Sequence, residues 1–167
     1  MSYRVNIATI DHKDQRYATV GDWYQEGGVL QLRVSKFGKH ALASKYEFLV
    51  AIHELIEHQL CKYYGVTEAQ VDAWDLMHED SEDPGSLPGC LYGAAHTIAT
   101  SIEMVLAQKL GLDWNAYGEA VERLFDNAPA VKVTDPKPGH YFGGAKTQAE
   151  READMRTKIE VRPRISK

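Results

Sequence analysis

At 167 residues the chain is long enough for one compact domain with a single core and too short for two ordinary ones. Apolar residues make up 44% and charged residues 26%, and the longest apolar runs fall far below the ~20 residues of a membrane-spanning helix, which argues against a membrane protein. The net charge of -5 provides no broad basic footprint for a phosphate backbone, so nucleic acid is not an expected partner.

The opening Met1 to Ile10 lacks the charged, apolar and cleavage-site pattern of an export leader, and a cytoplasmic protein is expected. Arg4 to Ile10 alternates polar and apolar residues and reads as a half-buried strand. The turn signal Gly27-Gly28, between Asp22-Trp23-Tyr24 and Val29 to Val34, predicts a β-hairpin. Lys45 to Tyr64 contains no Pro or Gly and spaces its apolar residues as a helix does, with Gly65 as its stop. Thr67 and Gln70 have the form of a capping box that opens a short helix over Glu68 to Met77. His78 to Gly89 is acidic and holds Pro84, Gly85, Pro88 and Gly89, which predicts an exposed, mobile connection.

A second long helix is expected from about Leu91 to Leu110, with Leu91, Ala95, Ile98, Ile102, Leu106 and Leu110 as its apolar face. A third runs from about Trp114 to Phe125 and ends near Pro129; Trp114, Tyr117, Val121, Leu124 and Phe125 line one side of it. From Pro136 onward Pro, Gly and charge dominate, with a short helix predicted around Thr147 to Arg156 and the basic residues Lys158, Arg162, Arg164 and Lys167 read as a solvated terminus. The expectation is an α+β domain over residues 1–130, a small N-terminal antiparallel sheet packed on a three-helix core, followed by a peripheral tail over residues 131–167. Cys61 and Cys90 are expected as packed thiols rather than a disulfide.

Chemistry concentrates in His53-Glu54-Leu55-Ile56-Glu57-His58. With His53 at zero on a helical wheel of about 100° per residue, Tyr46 and Tyr64 fall at about 20°, Glu57 at about 40°, and Leu49 and Leu60 within about 40° on the other side. Glu54 and His58 fall at about 100° and 140°, toward the polar side. His53 and Glu57 thus sit within an apolar stripe, where an ionised carboxylate without a partner costs several kcal/mol. A metal ion held by the two, one turn apart, would compensate both; a hydrogen-bonded His–Glu pair is the structural alternative.

Further ligands must come from elsewhere. The second long helix offers His96, Thr100 and Glu103 along one edge. His96 and Glu103 are about 10 Å apart along the axis, so one is expected to bind the ion and the other to support it, unless the site is dinuclear. Asp72 and Asp75 are oxygen-ligand candidates, although on a short helix near Trp74 such residues are more often solvated faces or caps.

The pattern resembles, with one substitution, the His-Glu-x-x-His helix of zinc metallopeptidases. Carried over by position, the resemblance implies His53 and Glu57 as metal ligands and Glu54 as the general base; His58 falls one residue too late for the second histidine. It favours zinc, while the carboxylate in place of that histidine brings manganese and iron within range. The order of hairpin and then metal-binding helix, over about residues 22–65, is also similar to that of small zincin-like domains. In those the edge strand receives an extended peptide, so a peptide or protein substrate is implied. Tyr46 to Leu55 and Val71 to Asp75 also resemble segments of small bacteriophage proteins, which implies a viral source and the host cytoplasm, and no particular activity.

Two other functions suit the same residues. In a metal-dependent nucleotide phosphohydrolase, Glu54, Glu57, Glu103 and acidic residues between Asp72 and Asp83 would hold magnesium or manganese against a phosphate. In a non-catalytic module, for example a phage-encoded inhibitor of a host protein, the metal would contribute folding energy without turnover.

Overall fold

The computed structural model describes residues 3–126. Three strands, β1 (Val5–Ile10), β2 (Gly21–Glu26) and β3 (Val29–Ser35), precede four helices, α1 (Ala43–Tyr64), α2 (Glu68–Met77), α3 (Gly93–Lys109) and α4 (Trp114–Asp126). The architecture is α+β, a small sheet packed against helices, as the periodicities predict. The tail read from residue 131 and the helix predicted around Thr147 to Arg156 lie outside the described residues. No described helix is long and apolar enough to cross a membrane.

The sheet order is β1-β3-β2. Gly27 and Gly28 both take left-handed backbone angles, φ 57° and 74°, so the two-residue loop is of the primed type whose twist suits a hairpin. β1 pairs with β3 in parallel, from Val5 opposite Leu30 to Ile10 opposite Ser35, so the sheet is mixed rather than wholly antiparallel. The reason is connectivity: residues 11–20 carry the chain from one edge of the sheet to the other, and the hairpin then returns β3 to the centre. Alternation identifies a strand without specifying its neighbour.

On β3, Leu30, Leu32 and Val34 are buried and alternate with less buried residues. The register sets Trp23 opposite Leu32 and Gly21 opposite Val34, so the same face of β2 turns toward the helices. α1 packs across β2 and β3. Ile7 on the outer strand β1, opposite Leu32, stays 54% exposed although the alternation predicted half-burial.

α1 is held between the sheet and α3. Its buried residues, Tyr46, Leu49, Val50, Ala51, Glu54, Glu57, His58 and Cys61, span about 200° of the helix, because it is covered from two sides. Glu54 and His58, expected toward the polar side, are therefore inside. The helix ends in a Schellman motif, with Val66 N donating to Cys61 O at 2.8 Å and Gly65 N to Lys62 O at 3.2 Å. Gln70 Oε1 accepts from Thr67 N at 2.9 Å, completing the predicted capping box of α2.

α3 turns a different face inward from the one its large apolar residues suggest. Ala95, Ala99, Glu103 and Ala107, four residues apart, are its buried line, while Ile98 and Ile102 are 40% and 37% exposed. Alanines let two helix backbones approach more closely than a ridge of isoleucines would, and this brings the polar groups of α3 within reach of α1. Ala99→Leu should overfill this contact and lower stability by ~1–3 kcal/mol in urea unfolding. An unchanged midpoint would contradict the close packing of α1 on α3.

Candidate metal centre

One turn of α1 and the first half of α3 supply the central atoms. His53 Nε2 lies 3.2 Å from His96 Nδ1 and 3.5 Å from Glu57 Oε2, and His96 Nδ1 lies 3.0 Å from that same oxygen. His53, Glu57 and His96 thus form a largely buried group able to hold a divalent metal ion.

The far atom of each side chain is also engaged. His53 Nδ1 lies 2.9 Å from Glu103 Oε2, and His96 Nε2 lies 3.0 Å from Asp83 Oδ1. Trp23 Nε1 donates to Glu57 Oε1 at 3.1 Å. The Tyr117 hydroxyl donates to Glu103 Oε1, fixing that carboxylate in turn. A carboxylate only accepts, so with a cation at the centre each imidazole would present its N–H outward to Glu103 or Asp83. With neutral rings, three lone-pair atoms then face one another: His53 Nε2, His96 Nδ1 and Glu57 Oε2. Such an arrangement calls for positive charge at its centre, and an acidic partner on the far nitrogen is the usual support of a metal-bound histidine.

Without a metal, protons supply that charge. Burial alone would lower both histidines, but hydrogen bonds from His53 to Glu103 and Glu57 raise it well above its ordinary 6.5, and those from His96 to Asp83 and Glu57 raise His96 to about 9. Burial would raise Glu57, yet hydrogen bonds from the two histidines hold it at about 2. Glu54, 8% exposed, makes no hydrogen bond among the described residues; burial and then the charge of Glu57 push its carboxyl well upward.

The ligands border a cavity of ≈ 340 Å³ that also reaches Glu54, Asp75, Trp23, Trp114 and Tyr117. Two glycines admit functional side chains to it. A methyl group on Gly85 would lie 2.6 Å from His96 Nδ1, and one on Gly21 would strike the Glu54 carboxyl and lie 2.7 Å from Val50 Cγ1.

Of the residues singled out in the sequence, His53, Glu57 and His96 converge. Glu103 reaches the site at the far nitrogen of His53, which makes it a support for that ring and not a member of the converging group. Asp72 is engaged by Arg16 at 3.0 Å, and Asp75 accepts from Tyr17 at 3.1 Å and from Tyr92, so neither joins the ligands. His58 lies edge-on to Trp23 and 3.2 Å from Gln25, away from the centre.

Sequence reasoning passed over Trp23 and Tyr117 as site residues, and it named Asp83 only as one end of the acidic segment in the phosphohydrolase alternative. The segment around Asp83 reads as a solvated loop, but Gly85 is buried and Pro84 O accepts from Trp74 Nε1 at 2.9 Å, which pins the loop and aims Asp83 at His96. Cys61 is buried and Cys90 partly so, both as free thiols.

Comparison of the chain with protein-family models, with curated proteins and with solved structures found no match.

Two outcomes follow. Gly85→Ala should displace His96 and weaken metal binding at least ~10-fold in a chelator competition, as loss of a ligand's support does; unchanged affinity would separate His96 from the site. The second concerns pH. His96, raised from 6.5 to about 9, contributes stability that is complete below about 6.5 and lost as pH rises through about 9. Glu57, lowered from 4.5 to about 2, contributes stability present above about 4.5 and lost as pH falls through about 2. A bound metal replaces the histidine protons, so its affinity rises with pH. The melting temperature of chelated protein should therefore fall from pH 6.5 to pH 9, and the gap between metal-loaded and chelated samples should widen. A constant gap would contradict the assignment.

Proposed function

We propose that the protein is a metal-dependent hydrolase, most like a small zinc peptidase, with His53, Glu57 and His96 as the ligands and Glu54 as the general base. The observation that carries this reading is a three-member ligand group bordering a cavity that also contains the buried Glu54 carboxyl, which has no hydrogen-bond partner among the described residues. Structural zinc sites close with four protein ligands, whereas catalytic ones keep a position for water or substrate, and two histidines with one glutamate are a known catalytic set. The 3.0–3.5 Å separations suit the ~3.3 Å edge of a tetrahedral ion and also the ~3.0 Å edge of an octahedral one, so manganese and iron share the donor geometry and the peptidase reading takes zinc.

In this scheme the ion supplies Lewis acidity at the scissile carbonyl. Glu54 accepts the proton of the attacking water and returns it to the leaving amine. Trp23 and Glu103 keep Glu57 and His53 oriented through both transfers.

The phosphohydrolase reading draws less support. Among the described residues lining the cavity there is no Lys or Arg to meet a phosphate, and Glu103 is occupied by His53 and Tyr117. A binding module with a structural metal would be expected to close the fourth position with a side chain.

The test is Glu54→Gln, which keeps the side-chain volume and removes the base. The variant should retain its metal and lose at least ~100-fold in hydrolysis of a mixed peptide library followed by mass spectrometry. Equal turnover in both proteins would remove Glu54 as base, and no turnover by the metal-loaded wild type would transfer the case to the binding module.

A further inference from the structure

The cavity beside the ligands has a chemical character of its own. Six carboxyl side chains line it, Glu57, Glu82, Asp83 and Glu103 together with Glu54 and Asp75, whose carboxyls burial pushes upward, and no Lys or Arg does among the described residues. Arg16 does not border it, and that guanidinium is held at 2.6–3.0 Å by Asp22 and Asp72. A divalent ion at the histidines offsets only part of this acidity. The walls are aromatic as well: Tyr17, Trp23, Trp114, Tyr117 and Phe125 border the same space. Ring faces carry partial negative charge and attract cations, most strongly away from water.

A second observation points to a ligand. Glu54 is more than nine-tenths buried, borders the cavity and has no hydrogen-bond partner among the described residues. A carboxyl that borders the cavity with no side chain engaging it is available to a bound molecule. Other buried carboxyls here do have partners: Asp22 holds Arg16, and Glu103 accepts from Tyr117.

We propose that this cavity selects an organic cation, so that the group placed beside the metal ligands belongs to a molecule bearing an ammonium or guanidinium substituent. On the hydrolase reading, on which only the word substrate rests, the substrate is an amide or peptide with a cationic group next to the scissile bond. Anionic molecules of the same size are disfavoured by the carboxyl lining, which among the described residues includes no Lys or Arg to receive them. An aromatic wall with acidic groups at the rim is the usual surrounding of a quaternary ammonium ligand.

The probes should be unable to ligate through an amine, so that binding reports the cavity and not the ion. Phenyltrimethylammonium and benzenesulfonate are of similar size and opposite charge. Each is titrated into the full-length protein purified without chelator, by calorimetry, with metal content measured on the same samples. The cation should bind at least ~10-fold more tightly than the anion. Glu82→Lys, which reverses a charge at the rim without touching the ligands, should weaken the cation by about threefold or more. Equal affinities, preference for the sulfonate, no saturable binding of either, or a Glu82→Lys variant that binds the cation unchanged would overturn the inference. Metal present without cation selectivity removes this inference and leaves the metal centre intact; cation selectivity in a protein without metal keeps it and removes the hydrolase.

Discussion

Ala95, Ala99 and Ala107 let α3 lie close enough to α1 for an imidazole on one helix to meet a carboxylate on the other. Everything at the centre follows from that approach. A helix interface that buries two histidines and two glutamates in place of leucines carries a desolvation cost of several kcal/mol per ion, and only a complete set of partners offsets it. Here the set is complete but for the centre, where three acceptor atoms face one another and need a cation or protons between them. The alanine stripe and the charged cluster are thus one feature: large residues at the stripe would part the helices and leave the charges buried and unpaired.

The supporting contacts come from separate parts of the fold. Trp23 arrives from β2, Asp83 from the loop before α3, Glu103 from α3 and Tyr117 from α4. Each orients a group that would otherwise rotate freely, and each joins another element to the α1–α3 contact. Metal binding in such an arrangement adds to the folding free energy, because the unfolded chain offers no comparable site. Beside it, Arg16 bridges Asp22 of β2 and Asp72 of α2, and the Tyr17 and Tyr92 hydroxyls hold Asp75, which borders the cavity.

How far the sequence reveals this depends on the range of each interaction. His53 and Glu57 are legible because both lie on one helix, and helical spacing alone places them side by side. The hairpin is legible from Gly27-Gly28, and through its register Trp23 could have been placed opposite Leu32, facing the helices and needing an acceptor for its N–H. His96 and Glu103 are legible as an edge of α3, but which one binds depends on how that helix is rotated. Its large apolar residues misled there, because Ile98 and Ile102 face outward and the alanines face in. Glu54 and His58 appeared peripheral because a wheel assumes one covered side and α1 has two. Asp83 was hidden in an acidic, Pro- and Gly-containing loop, where only the buried Gly85 against the His96 ring shows that the segment is docked.

The central claim is that His53, Glu57 and His96 hold one divalent ion. The most direct measurement is elemental analysis of the protein purified without chelator, beside the single alanine variants of those three residues and a control at Asp72, which carries charge but lies outside the group. The account predicts about one equivalent of zinc, manganese or iron in the wild type and in Asp72→Ala, and little in the three ligand variants. Full occupancy in a ligand variant, or none in the folded wild type, would contradict it.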